Sequence, residues 1–88
     1  MKYRLSVSHE AEKVLARLDR GTERRFRARF IQLSDNPFDP RLSGSLTERP
    51  GVRKSRVGDW RILFTADRNA LMVYIVTIDT RGQVYKHS

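Results

Sequence analysis

The sequence predicts one α+β domain: an N-terminal strand and a two-helix antiparallel hairpin, followed by a three-stranded antiparallel meander, with the helices packed on one face of the sheet. Three observations carry that prediction. Basic and apolar side chains alternate through residues 52–64 on either side of Gly58-Asp59, a two-residue hairpin signal with Gly first. Two runs within residues 8–33 repeat apolar side chains at helical spacing. Residues 70–78, Ala-Leu-Met-Val-Tyr-Ile-Val-Thr-Ile, are apolar on both faces and rich in β-branched side chains, which suits a central strand. With 88 residues the chain can build a single modest core, so residues 1–88 read as one domain.

In chain order, Tyr3, Leu5 and Val7 alternate with Lys2, Arg4 and Ser6, a strand over Met1–Val7. Ser8 is a suitable N-cap, and Glu10 and Glu12 complement the positive end of the helix that follows. Ala11, Val14, Leu15 and Leu18 form its apolar stripe. Asp19-Arg20-Gly21 should end it, with Gly21 in the left-handed position. Thr22 is the expected cap of a second helix reaching about Leu33, with Phe26, Phe30 and Leu33 on one face. Arg24, Arg25, Arg27 and Arg29 spread over the remainder; a solvated surface that steers anions at long range is the preferred reading, and a specific RNA contact is the alternative. Asn36-Pro37 stops this helix, because a residue before proline is pushed out of the helical region. Residues 35–51 hold all three prolines, so an ordered excursion is expected, pinned by Leu42 and Leu46 and containing one brief edge strand.

If Gly58 and Asp59 form the turn, Val57 faces Trp60, Arg56 faces Arg61, Ser55 faces Ile62, Lys54 faces Leu63 and Arg53 faces Phe64. Val57, Trp60, Ile62 and Phe64 then point to the helices. Lys54, Arg56 and Arg61 share the other face, expected to be open or concave. Two arginines directly opposed destabilise a sheet, which suggests that an anion binds between them. Asp67-Arg68-Asn69 is the next turn. Strict alternation along 70–78 would put Arg81 on the core side, so the chain should turn before it.

The formal net charge of +8, with Arg supplying fourteen of eighteen basic residues, points to an anionic partner, nucleic acid above all. There is no cysteine, and the two histidines are far apart, so neither disulfides nor a metal site is expected, and no cofactor. No apolar run is long enough to cross a bilayer and no signal-peptide core follows the basic start. A cytoplasmic address is therefore expected.

The order of elements, the phrase Arg56-Val57-Gly58-Asp59-Trp60-Arg61-Ile62, the loop signal Asn36-Pro37 and the ending Thr80-Arg81-Gly82-Gln83-Val84-Tyr85 resemble the RelE/ParE toxin superfamily over nearly the whole chain. This superfamily contains RelE-like mRNA interferases and ParE-like gyrase inhibitors on one fold. The RelE-like resemblance implies a ribosome-dependent endoribonuclease that cuts mRNA in the A site, by attack of a ribose 2′-hydroxyl on the adjacent phosphate. It also implies a cognate antitoxin, the ribosome with its rRNA, and mRNA as partners. Carried onto this chain, the catalytic set is Lys54 as candidate base, Arg61 stabilising the phosphate, Arg81 assisting the leaving oxygen, and Tyr85 stacking or orienting the hydroxyl. Arg56, Lys86 and His87 would bind RNA or phosphate. His9 is read as structural. Thr80 stands where many relatives carry histidine, and Ser55 where they are usually apolar. A non-enzymatic ParE-like gyrase inhibitor and a basic RNA- or DNA-binding module without catalysis are the alternatives.

Overall fold

The computed structural model describes residues 2–80. Its elements are β1 (Arg4–Val7), α1 (His9–Ala16), α2 (Arg20–Asp35), β2 (Gly44–Ser45), β3 (Arg53–Val57), β4 (Trp60–Asp67) and β5 (Met72–Thr80). The meander β3-β4-β5 is antiparallel as expected, and it sits inside a five-stranded sheet of order β1-β5-β4-β3-β2. Two additions differ from the three-stranded expectation in detail: β1 runs parallel to β5, and the two-residue β2 pairs with the start of β3. The hairpin register is the expected one, from Val57 opposite Trp60 to Arg53 opposite Phe64. Gly58 alone of the two turn residues has positive φ, +61°, the pattern of a type II′ turn.

Ser8 caps α1: its Oγ accepts from the Ala11 amide at 3.0 Å. The same hydroxyl donates to the Val76 carbonyl at 2.7 Å, so the cap also fastens the helix to β5. The junction between the helices departs from the expectation. Asp19, not Thr22, is the N-cap of α2, accepting from the Thr22 amide at 3.1 Å and from its hydroxyl at 2.7 Å. A carboxylate reaches the free amides at a helix start and also complements its dipole, so the helix begins three residues earlier than a Thr22 cap would place it. Gly21 therefore lies in the first turn of α2 rather than in the left-handed position. These hydrogen bonds, chiefly those from Thr22, hold the Asp19 carboxyl below the ordinary aspartate range. At the other end Asn36 leaves helical geometry, with φ −155°, just before Pro37.

Both helices bury their apolar stripes on one sheet face. Ala11, Leu15, Phe26, Phe30 and Leu33 pack against Val57, Ile62, Phe64, Val73, Ile75 and Ile78. Trp60 joins at the rim, edge-on to Phe26 with ring centroids 5.9 Å apart. Each fully buried phenylalanine or isoleucine contributes on the order of 1.5–3 kcal/mol of transfer free energy.

Simple alternation does not hold along β5. Leu63 pairs with Thr77 but Phe64 pairs with Ile75, leaving Val76 as a bulge residue. The buried positions therefore shift from Val73 and Ile75 to Ile78. The bulge already shifts parity within the strand, and β5 continues to Thr80; the expected placement of Arg81 falls outside the described residues. The long loop is ordered as expected, but it also corrects the picture of an open outer face. Leu46 and Val52 fold over Leu63 in a second small cluster, covering that part of the sheet. Among the described residues no helix is long and apolar enough to cross a membrane.

Candidate functional site

The outer side of the β3–β4 hairpin gathers Lys54, Arg56 and Arg61, as strand alternation requires. Arg56 is exposed; Lys54 and Arg61 are half-buried. Lys54 lies between Gly44 of β2 and Leu63 of β4, the residue roofed by Leu46 and Val52. The apolar roof thus flanks the basic residues and leaves Arg56 toward the turn.

The opposed arginines are accommodated differently from the expectation of an intervening anion. Arg61 also faces Asp79 on β5, and the two form a two-pronged pair, Nε to Oδ1 at 3.0 Å and Nη2 to Oδ2 at 3.2 Å. This bond raises the Arg61 guanidinium's affinity for its proton, against the opposing effect of partial burial and with help from the charges of Asp79 and Glu48. Arg61 is thus charge-compensated on one side, and its repulsion with Arg56 needs no bound anion to explain it. Of five guanidinium N–H donors, two serve Asp79, and the other three have no acceptor among the described residues. Asp79 fixes the guanidinium plane while leaving donors to spare.

Ser55, buried within the hairpin, shows how a hydroxyl is tolerated at a core position. Its Oγ donates to the Leu42 carbonyl at 2.7 Å and accepts from Arg29 Nη1 at 2.8 Å. Arg29 also donates to the Arg56 carbonyl at 2.7 Å and to Gln32 at 3.0 Å. An arginine read from sequence as solvated helix surface is therefore a tie between α2, β3 and the loop. Arg27, by contrast, bridges Glu12 and Glu23 across the helix pair.

Beside the end of β5 a groove of about 620 Å³ runs between α1 and the sheet. Val14, Leu18, Trp60 and Leu63 give it apolar walls, and Arg17 and Asp79 are among its charged residues.

Sequence reasoning placed Lys54, Arg56 and Arg61 together, and they are together. Arg81, Tyr85, Lys86 and His87 lie outside the described residues. His9 is exposed at the first position of α1. Asp79 and the Ser55–Arg29 tie were missed. Asp79 becomes visible only when the β5 register, including its bulge, is known. Among the described residues no three His, Asp or Glu side chains gather as a metal ligand set would require.

Comparison with known proteins follows the same outline. Residues 5–85 match the family described as ParE toxin of type II toxin-antitoxin system, parDE. No curated protein matches by sequence. Among solved structures, the toxin–antitoxin complex RelBE2 of Mycobacterium tuberculosis superposes with a TM-score of 0.78 at 24% identity, covering 92% of this chain and 100% of that one. The archaeal RelE–RelB complex of Pyrococcus horikoshii gives 0.78 at 24% identity, with 94% and 99% covered. The isolated RelE toxin of E. coli gives 0.75 at 16% identity, with 97% and 93% covered. At these identities the likeness is one of fold.

Proposed function

Because the chain belongs to the ParE toxin family of type II toxin–antitoxin systems, matched over residues 5–85, we propose that residues 1–88 form a single toxin domain that acts in the cytoplasm as a ribosome-dependent endoribonuclease. Its substrate is mRNA in the ribosomal A site, and its own side chains serve as acid, base and electrostatic stabiliser. The observation that carries this reading is the outer hairpin face, where Arg61 is braced by Asp79 beside Arg56 and Lys54, with three of its donors unspent among the described residues.

The reaction is a transesterification. The 2′-oxygen forms a bond to the adjacent phosphorus as its proton goes to a base, and the 5′-oxygen leaves with a proton from an acid. The products are a 2′,3′-cyclic phosphate and a 5′-hydroxyl. Charge builds on the non-bridging oxygens in the transition state, and donors already fixed in place stabilise it best. Arg61 fits that role, since Asp79 holds its plane before the substrate arrives. Arg56 supplies a second cation to the RNA backbone. Lys54 is the candidate base, a role for which an amine must first lose its proton. Arg81 is assigned to the leaving oxygen and Tyr85 to stacking or orienting the nucleotide, with Lys86 and His87 as further RNA contacts.

The cognate antitoxin is proposed as an acidic or amphipathic segment. The groove beside β5 suits it, with apolar walls for anchors and charged residues for register. The matched family is described as ParE, and this favours a second reading, a non-enzymatic inhibitor of DNA gyrase. Toeprinting of a message on purified ribosomes, run beside a gyrase supercoiling assay, separates the two. A-site cuts with unimpaired supercoiling support the nuclease. Intact message with blocked supercoiling overturns it.

A further inference from the structure

The arginines of α2 do not form one uniform surface. Arg27 is neutralised by Glu12 and Glu23. Arg29 is anchored, but by Ser55, Gln32 and a backbone carbonyl, all neutral acceptors, and no carboxylate pairs with it among the described residues. Arg25 lies over the hairpin turn, its Nη2 3.3 Å from where a Cβ on Gly58 would stand. The absence of a side chain at Gly58 therefore leaves room for this guanidinium.

Together with Arg56, these residues line a groove of about 360 Å³ between α2 and β3, whose other lining includes Ala28, Gln32 and Val57. Among the described residues no carboxylate lines it, Asp59 of the turn included. β2 pairs only with Arg53 and Lys54, so among the described residues the edge of β3 beyond them has no neighbouring strand and the groove opens there. Arg56 belongs by strand parity to the outer face, yet it also lines this groove. The free edge is thus where the groove meets the face that carries Arg61.

We propose that the groove between α2 and the free edge of β3, formed by Arg25, Arg29 and Arg56, is a binding site for the phosphodiester backbone of a nucleic-acid strand. It adjoins the candidate cleavage face, with which it shares Arg56, and binding in it does not depend on whether cleavage occurs. Arg25 and Arg56 present planar forks that match phosphate oxygens, while Arg29, with Nε and Nη1 committed to Gln32, Ser55 and the Arg56 carbonyl, adds a fixed positive charge and its Nη2 donors. Ala28 and Val57 offer little apolar surface, whereas a bound amphipathic peptide needs a row of apolar anchors. The neutral anchoring of Arg29 holds its charge and Nη2 in place before a ligand arrives, which reduces the ordering cost of binding.

The test is the salt dependence of binding to short 2′-O-methyl RNA and DNA oligonucleotides, neither of which offers a 2′-hydroxyl for cleavage. Arg25→Gln removes one fork, and Ala28→Glu puts a carboxylate in the groove without removing any arginine. Both positions are exposed, so the fold should be kept. Arg24→Gln is the control, an exposed arginine of the same helix outside the groove. For a single strand, loss of one phosphate contact should reduce the slope of log K against log salt by about 0.7. Arg25→Gln should show that reduction, Ala28→Glu at least as much, and Arg24→Gln none. Equal effects on RNA and DNA identify the bare phosphodiester as the ligand, and a groove-dependent preference for RNA assigns the site to RNA. The proposal is overturned if the chain binds neither oligonucleotide, or if the groove variants behave as Arg24→Gln does. It is also overturned if an oligoglutamate peptide displaces RNA at matched ionic strength as well as unlabelled RNA does. None of these results bears on A-site cutting, which toeprinting reads separately.

Discussion

The two faces of the β3–β4 hairpin are built from the same residues in alternation, yet they hold together by different physics. On the inner face Val57, Ile62 and Phe64 are buried against two helices, and the contacts are non-directional. On the outer face Lys54, Arg56 and Arg61 depend on what other segments bring: Asp79 from β5 and the Leu46–Val52 roof from the loop. The inner face specifies the fold, and the outer face presents charge that the fold does not need. Substitutions should therefore separate stability from activity according to which face they touch.

The largest effect is expected inside. Phe64→Ala removes a fully buried ring and should cost about 3–5 kcal/mol in urea unfolding, whereas Arg56→Ala in the facing strand should stay within about 0.5 kcal/mol. If the two cost the same, the division between faces is wrong. Next is Arg61→Ala, which should lower A-site cutting by roughly 100-fold, about 2.7 kcal/mol of transition-state stabilisation. Its cost in stability should stay near that of a cross-strand pair, about 0.2–1 kcal/mol. A variant that loses activity only because it unfolds would erase the distinction.

Ser55→Ala probes the polar exception on the inner side. It leaves the Leu42 carbonyl and one Arg29 donor without their partner and should cost about 1–3 kcal/mol, read as a lowered thermal midpoint. Unchanged stability would mean that water replaces the hydroxyl at no cost. The smallest effect is the cap of α2. The Asp19 pKa is lowered on folding, so its stabilising contribution is complete above the ordinary aspartate value and disappears as pH falls through the lower folded value. Thermal midpoints of the wild type and Asp19→Asn should therefore differ most above that window and converge below it. Parallel curves would show that the carboxylate does not act through its charge.

What was legible in the sequence follows the same division. The hairpin register could be read residue by residue, because Gly58-Asp59 sets the turn and alternation does the rest. Asn36-Pro37, the Ser8 cap and the brief edge strand were legible for the same reason, since each is a local steric or hydrogen-bonding preference. Asp19 was misread because Asp and Thr are both good caps and only the fold chooses between them. The bulge at Val76 is invisible in a run that is apolar on both faces, and with it went the placement of Asp79 opposite Arg61. Arg29 looked like solvated surface because its acceptors, Ser55 and the Arg56 carbonyl, lie on a strand more than twenty residues away. Charge-compensating partners arrive through tertiary structure, and local periodicity carries no signal for them.

The proposed work of the outer face is cleavage of mRNA by the message's own 2′-hydroxyl. It is tested most directly on ribosomes programmed with two messages, one unmodified and one carrying a 2′-O-methyl group at the A-site nucleotide whose hydroxyl would attack. The account predicts a single cut in the unmodified message, with a 2′,3′-cyclic phosphate upstream and a 5′-hydroxyl downstream, and none in the methylated one. Equal cutting of both messages, or of neither, would contradict it.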